Sequence, residues 1–275
     1  MGIELLPLVA LGFAVGAYGT VIGAGGGFIL VPVLLLIFPE YGPEKVTAIS
    51  LAVVWANATS GSIAYARQRR IDYLTGVIFA GASVPGVLAG ALMVHLVPER
   101  LFSLLFGALL LFMAGVTLRP APPTVRQPRP ERGLLVRTIV ASDGVTYRYA
   151  YKVWQGVALS VAVGFASSLF GVGGGVIHVP AMIVLFRFPV QFAVATSHFI
   201  LAFMAGGATI VHLAIGTLAG KQLWQALALG AGAIPGAQAG AWASHRIHGR
   251  AVLTLLSFAL IALAARLIVK GLAGI

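Results

Sequence analysis

The chain contains no cysteine, which excludes disulfides, thiol nucleophiles and thiolate metal centres and says little about compartment. Charge is almost as scarce. Asp and Glu together number 7, and charged residues make up 9% of the 275, against roughly a quarter in soluble domains. The acidic residues fall at segment ends or in loops, so a carboxylate proton relay and a carboxylate-built cation site both lose support. Period-2 alternation is missing from the apolar runs, which excludes a transmembrane β-barrel. What remains is a chain that is 59% hydrophobic, with a mean hydropathy of +0.99, whose backbone in lipid must be satisfied as helix.

Catalytic signatures are absent too. Neither G-x-S-x-G nor H-E-x-x-H occurs, and the glycine-rich stretches lack the Lys-Ser/Thr ending of a P-loop. His178, His198 and His212 have no metal-ligand spacing. The chain therefore reads as no enzyme, with no cofactor and no metal.

Ten apolar segments are legible, at about 3–22, 26–39, 46–66, 73–96 and 101–118, and then 154–170, 174–188, 190–215, 222–244 and 251–269. Most approach the ~20 residues that cross the hydrocarbon, but those at 26–39 and 174–188 are too short to do so untilted. The expected fold is an all-α polytopic membrane protein with 8–10 membrane segments. No basic region precedes the first segment and no polar cleavage site follows it, so it reads as retained structure.

The halves repeat each other. GAGGGFILVP at 23–32 returns as GVGGGVIHVP at 171–180 with seven of ten positions identical, and PGVLAGALMVH at 85–95 returns as PGAQAGAWASH at 235–245. The domain reading is a first membrane repeat at 1–118, a linker at 119–153 and a second repeat at 154–275. The linker opens with a Pro-rich tether and continues as two β-branched and aromatic runs around Asp143-Gly144, a hairpin signal. A lone hairpin is marginal in water, so it is expected to pack on the membrane domain or a neighbouring subunit.

The net charge of +11 would suggest nucleic acid in a soluble protein. Here seven of the eighteen Lys and Arg lie between Arg119 and Lys152, and three more form RQRR at 67–70. Such clusters beside apolar spans are the positive-inside signal, so both segments are placed in the cytoplasm and no nucleic-acid role is expected. Whether the second repeat is inverted or parallel depends on the crossings in each half. The charge count favours inversion slightly, with Arg187, Arg246 and Arg250 then cytoplasmic and Lys221 and Lys270 not.

Three consecutive glycines inside an apolar stretch allow the backbone to turn at positive φ, so Gly25-Gly26-Gly27 and Gly173-Gly174-Gly175 are expected to break a helix at membrane depth. The helix that starts anew has unpaired N–H groups and the positive end of its dipole, a ready site for an anion. Gly86-Gly90 and Gly236-Gly240 read instead as close helix packing, and Trp154 and Trp224 as interfacial belt residues. Intramembrane polar residues include Ser50, Asn57, Tyr65, His178, Thr196, Ser197, His198 and His212. His178 stands where the first copy has Leu30, and His212 aligns with Tyr65, so the second half has diverged toward groups that change charge near neutral pH. The bland reading of each is a neutral histidine bonded to a neighbouring helix.

The doubled glycine block, AVATSHF at 193–199 and the PG-xx-AGA blocks resemble the TauE/SafE family of membrane transporters over nearly the whole chain apart from the linker. The resemblance implies transport of sulfite or organosulfonates across the bacterial inner membrane, without fixing direction. On that basis the expected substrate site is Gly25, Gly26, Gly27, Gly173, Gly174 and Gly175, with Ser50, Thr196 and Ser197 as hydroxyl donors and Asn57, His178 and His198 as polar neighbours. Thr196 is matched by Ile49 in the first copy, so only Ser50 and Ser197 are a kept pair. Expected partners are a small anionic substrate and the lipid bilayer, with a second copy of the chain as a candidate. A passive anion pore and a membrane sensor acting through the linker stand as alternatives.

Overall fold

The computed structural model describes residues 5–118, 134–140, 146–244, 246 and 249–273. In chain order these form α1 (Leu5–Ile22), α2 (Gly27–Ile37), α3 (Pro43–Arg67), α4 (Tyr73–Met93, continued by a 3₁₀ turn at Val94–Leu96) and α5 (Glu99–Thr117). The hairpin β1 (Leu134–Val140) and β2 (Thr146–Lys152) follows. Then come α6 (Val153–Phe170), α7 (Gly175–Val184), α8 (Val190–Ala214), α9 (Gly220–Ser244) and α10 (Gly249–Ala273). The fold is helical, as the composition requires. Residues 119–133, the Asp143-Gly144 turn and His245 lie outside the described residues.

Among the described residues six helical spans are long and apolar enough to cross a membrane: Pro43–Arg67, Tyr73–Leu96, Glu99–Thr117, Val153–Phe170, Val190–Ala214 and Thr254–Leu272. At 1.5 Å per residue the 25 residues of α3 reach roughly 37 Å, enough for the hydrocarbon and both interfaces. The helices Gly27–Ile37 and Gly175–Val184 are too short, as their sequence length demands.

Packing is exchanged between halves. The first helix of each half lies along the fourth of the other, α1 on α9 and α6 on α4, while α3 pairs with α8 and α5 with α10. Lipid tails supply no hydrophobic drive for such pairs, so backbones approach through small residues. Gly86 and Gly90 seat on the carbonyls of Val161 and Phe165, and Gly236 and Gly240 on those of Phe13 and Ala17. The equivalent helices run antiparallel. Along α3 and α8, Trp55 lies beside Gly206 and Gly61 beside His198; along α5 and α10, Glu99 pairs with Lys270 at 2.7 Å and Thr117 with Ser257 at 2.7 Å.

The hairpin docks on the membrane domain at the α3–α4 corner. Leu134 pairs with Lys152 at its open end and Val140 with Thr146 near its turn. One face carries Tyr147, Tyr149 and Tyr151, whose rings pack on Phe192, Phe188 and Phe186. Asp72, the N-cap of α4, receives Arg137 Nη2 at 2.7 Å, Tyr149 Oη at 2.7 Å and Thr75 Oγ1 at 2.6 Å. Its backbone N–H donates to Thr196 Oγ1 at 3.0 Å, tying the corner to α8. Burial pushes the Asp72 carboxyl up, but the hydrogen bonds from Arg137, Thr75 and Tyr149 outweigh it and hold the group below its ordinary range. The Tyr149 phenol is raised by burial and by the carboxylate beside it. RQRR and the linker strands thus share one end of the bundle.

Candidate functional site

Both glycine blocks break the helix. In the first, Gly23, Gly25 and Gly26 have φ of +76°, +74° and +82°, and in the second Gly171, Gly173 and Gly174 have +70°, +79° and +87°. Residues with a Cβ seldom adopt this left-handed region, which is why each turn is written in glycine. The Ala24 and Gly25 amides fold back to the Gly19 carbonyl at 2.9 and 3.2 Å, and a new helix starts with Leu30 N–H on Gly26. In the second block His178 N–H on Gly174 does the same. The N–H groups of Gly27 and Phe28, and of Gly175 and Val176, find no acceptor among the described residues.

The two breaks meet. A Cβ on Gly27 would stand 2.5 Å from the Gly171 carbonyl oxygen, and one on Gly175 would collide with the carbonyl of Gly23. Over them lie Val54 and Leu201, equivalent residues at the midpoints of α3 and α8. Both new helices therefore begin near mid-depth and leave in opposite directions, α2 toward the α3 N-terminus and α7 toward the hairpin, where Phe186 and Phe188 meet Tyr151.

The serine pair is placed symmetrically. Ser50 Oγ donates to the Gly171 carbonyl at 2.6 Å, and Ser197 Oγ to that of Gly23 at 3.2 Å, so each hydroxyl holds the break of the opposite half. Those protons go to backbone carbonyls, whereas the sequence suggested donors aimed at a ligand. Asn57 and His198 are brought to the same place. Asn57 Nδ2 donates to the Gly25 carbonyl at 3.3 Å, its Oδ1 accepts from Thr20 Oγ1 at 3.2 Å, and His198 Nε2 lies 3.2 Å from Thr20 Oγ1 and 3.5 Å from Asn57 Nδ2. Tyr65 donates to the Thr20 carbonyl at 2.7 Å and sets its ring edge-on to His198.

Two expected members lie elsewhere. Thr196, one residue before Ser197, faces the α3–α4 corner, where it accepts from Asp72. His178 sits between α6 and α4, 3.3 Å from Ser160 Oγ and stacked on Phe79. Thr20 was missed by the sequence reading. Its signal was a hydroxyl three residues before the glycine block in both copies, Thr20 and Ser168.

The site is electrically sparse. Among the described residues the buried charged side chains are Arg70 and Asp72, both at the α3–α4 corner, and no group of His, Asp or Glu could hold a metal ion. An ammonium or metal cation would find carbonyls but no countercharge, while an anion would find helix N-termini and neutral donors.

Comparison with known proteins gives a consistent picture. The probable membrane transporter protein YunE of Bacillus subtilis is 33% identical over 274 residues, covering 96% of this chain and 97% of the relative. Probable membrane transporter proteins of Methanocaldococcus jannaschii and Xylella fastidiosa are 28% and 29% identical, over 78% and 68% of this chain and 74% and 64% of their own. No solved structure matches. The family model described as sulfite exporter TauE/SafE matches residues 8–267, and the chain, a multi-pass membrane protein, belongs to that family of membrane transporters.

Proposed function

We propose that the protein is a secondary transporter of small sulfur-containing anions such as sulfite or an organosulfonate, working by alternating access between two inverted repeats. The observation that carries this reading is the pair of broken helices whose free amides start at mid-depth in a region without buried carboxylates. Substrate oxygens supply the acceptors that the Gly27, Phe28, Gly175 and Val176 amides lack. Inversion is supported by the antiparallel run of α3 against α8 and of α5 against α10, since repeats related by an axis along the membrane normal would set equivalent helices parallel. The sulfur chemistry is supported by the family description alone. Site residues on this reading are Gly25, Gly26, Gly27, Gly173, Gly174, Gly175, Asn57 and His198, with Ser50 and Ser197 holding the breaks in shape.

The test is thermal melting of the purified protein with sulfite, sulfoacetate, taurine, sulfate and carboxylate analogues. A ligand that binds the folded state raises Tm as RT ln(1 + [L]/Kd). Stabilisation by sulfite or a sulfonate above the carboxylates is expected; no shift with any sulfur anion overturns the reading. Counterflow in proteoliposomes separates a carrier from a pore, because a pore cannot exchange one substrate against another uphill.

A further inference from the structure

The halves differ in how their polar side chains are satisfied. Beside the α2 N-terminus, Thr20, Asn57, His198 and the Gly25 carbonyl bond to one another. At the matching positions around α7, Ser168 stands for Thr20, but Met204 and Leu51 replace Asn57 and His198, and His212 replaces Tyr65. Among the described residues, Ser167 Oγ, Ser168 Oγ, Thr47 Oγ1 and both ring nitrogens of His212 have no hydrogen-bond partner, although all four residues are 0% exposed. A buried polar atom left without a partner is costly, so each one marks a place where a bound group can supply the missing bond.

Ser167 and Ser168 close α6, immediately before the second break. Ser167 Cβ lies 3.4 Å from where a Cβ on Gly174, the N-cap of α7, would stand, beside the free amides of Gly175 and Val176. Thr47 Oγ1 lies 3.2 Å from the same point on Gly171. His212 is in the last turn of α8, and just beyond that helix Thr217 Oγ1 donates to Glu44, one turn before Thr47 on α3, at 2.7 Å. An imidazole is shorter than the phenol of Tyr65, so where Tyr65 reaches the Thr20 carbonyl, His212 leaves both nitrogens open.

We infer that the α7 N-terminus, with Ser167 and Ser168 from the last turn of α6, is a distinct oxyanion subsite. The two serine hydroxyls and the Gly175 and Val176 amides are donors, which suits a compact anion of several oxygens. The inference rests on the anion-transport reading and deepens it: the two breaks are unequal, and the α7 side is the one equipped to take the anion.

The experiment is a sulfite and sulfoacetate titration of the purified full chain, read by melting temperature, on wild type and the double variant Ser167→Ala, Ser168→Ala. Removing hydroxyls that bond to nothing leaves the ligand-free Tm equal to or above wild type, while apparent affinity falls on the order of tenfold or more. Ser168→Thr, which keeps the hydroxyl, retains binding. By contrast Thr20→Ala, whose hydroxyl is bonded, lowers the ligand-free Tm. Unchanged affinity in the double variant overturns the subsite, as does a fall in its ligand-free Tm, which would make the hydroxyls structural. If the wild type binds and Gly25→Ala abolishes binding while the double variant binds normally, only the subsite fails; if the wild type binds neither anion, the transport reading fails with it.

Discussion

Ser50 and Ser197 each reach across to the other half, and their hydroxyls give the clearest single-residue consequence. Ser50→Ala strips the Gly171 carbonyl of a buried partner and should cost about 1 kcal/mol, seen as a lowered Tm in detergent; Ser197→Ala, with the longer bond, should cost less. At Gly25 two penalties combine. An alanine would be held at φ +74° with its Cβ 2.5 Å from Leu201 Cδ2, so Gly25→Ala should lose about 1–3 kcal/mol of stability and most of its uptake. The glycines and the serine pair were legible because they recur in both copies. The Thr20, Asn57, His198 cluster was legible only in pieces: it is built from α1, α3 and α8, and no local pattern announces that three distant polar residues converge.

Among elements, the hairpin is the one whose docking the sequence left open, between the membrane domain and a neighbour. Its anchoring follows from a single buried carboxylate that spends all its acceptor capacity on Arg137, Tyr149 and Thr75. Asp72→Asn should loosen the strands by roughly 2 kcal/mol, below the ~3–5 of a fully buried pair because Arg137 is 25% exposed, and hydrogen exchange at Tyr149 and Tyr151 reports it. Acid should act in the same direction. Because the folded Asp72 pKa is depressed, its stabilisation is complete above the ordinary carboxylate range and is lost as pH falls through the folded value, so strand protection persists at pH 6 and fails in strong acid. Helix bounds were readable to within a few residues because apolar runs in lipid have few competing structures. The hairpin's docking partner was not, since aromatic stripes say what a face wants and not which face meets it.

For the whole molecule, the recurrence of motifs 148 residues apart was visible in the sequence, whereas the packing of α1 on α9 and of α6 on α4 was not, because only long-range contacts define it. The absence of cysteine makes orientation directly measurable. In an inverted arrangement a cysteine at Lys221 is modified from outside the cell by an impermeant maleimide and one at Arg246 is protected; a parallel arrangement reverses the two. The most direct measurement of the central claim is an anomalous difference map from crystals of the protein grown with selenite, an electron-rich analogue of sulfite. A peak within about 4 Å of the Gly27–Phe28 or Gly175–Val176 amides is the expected result. Selenite bound only at the protein surface, in a protein that still transports sulfite, would contradict it.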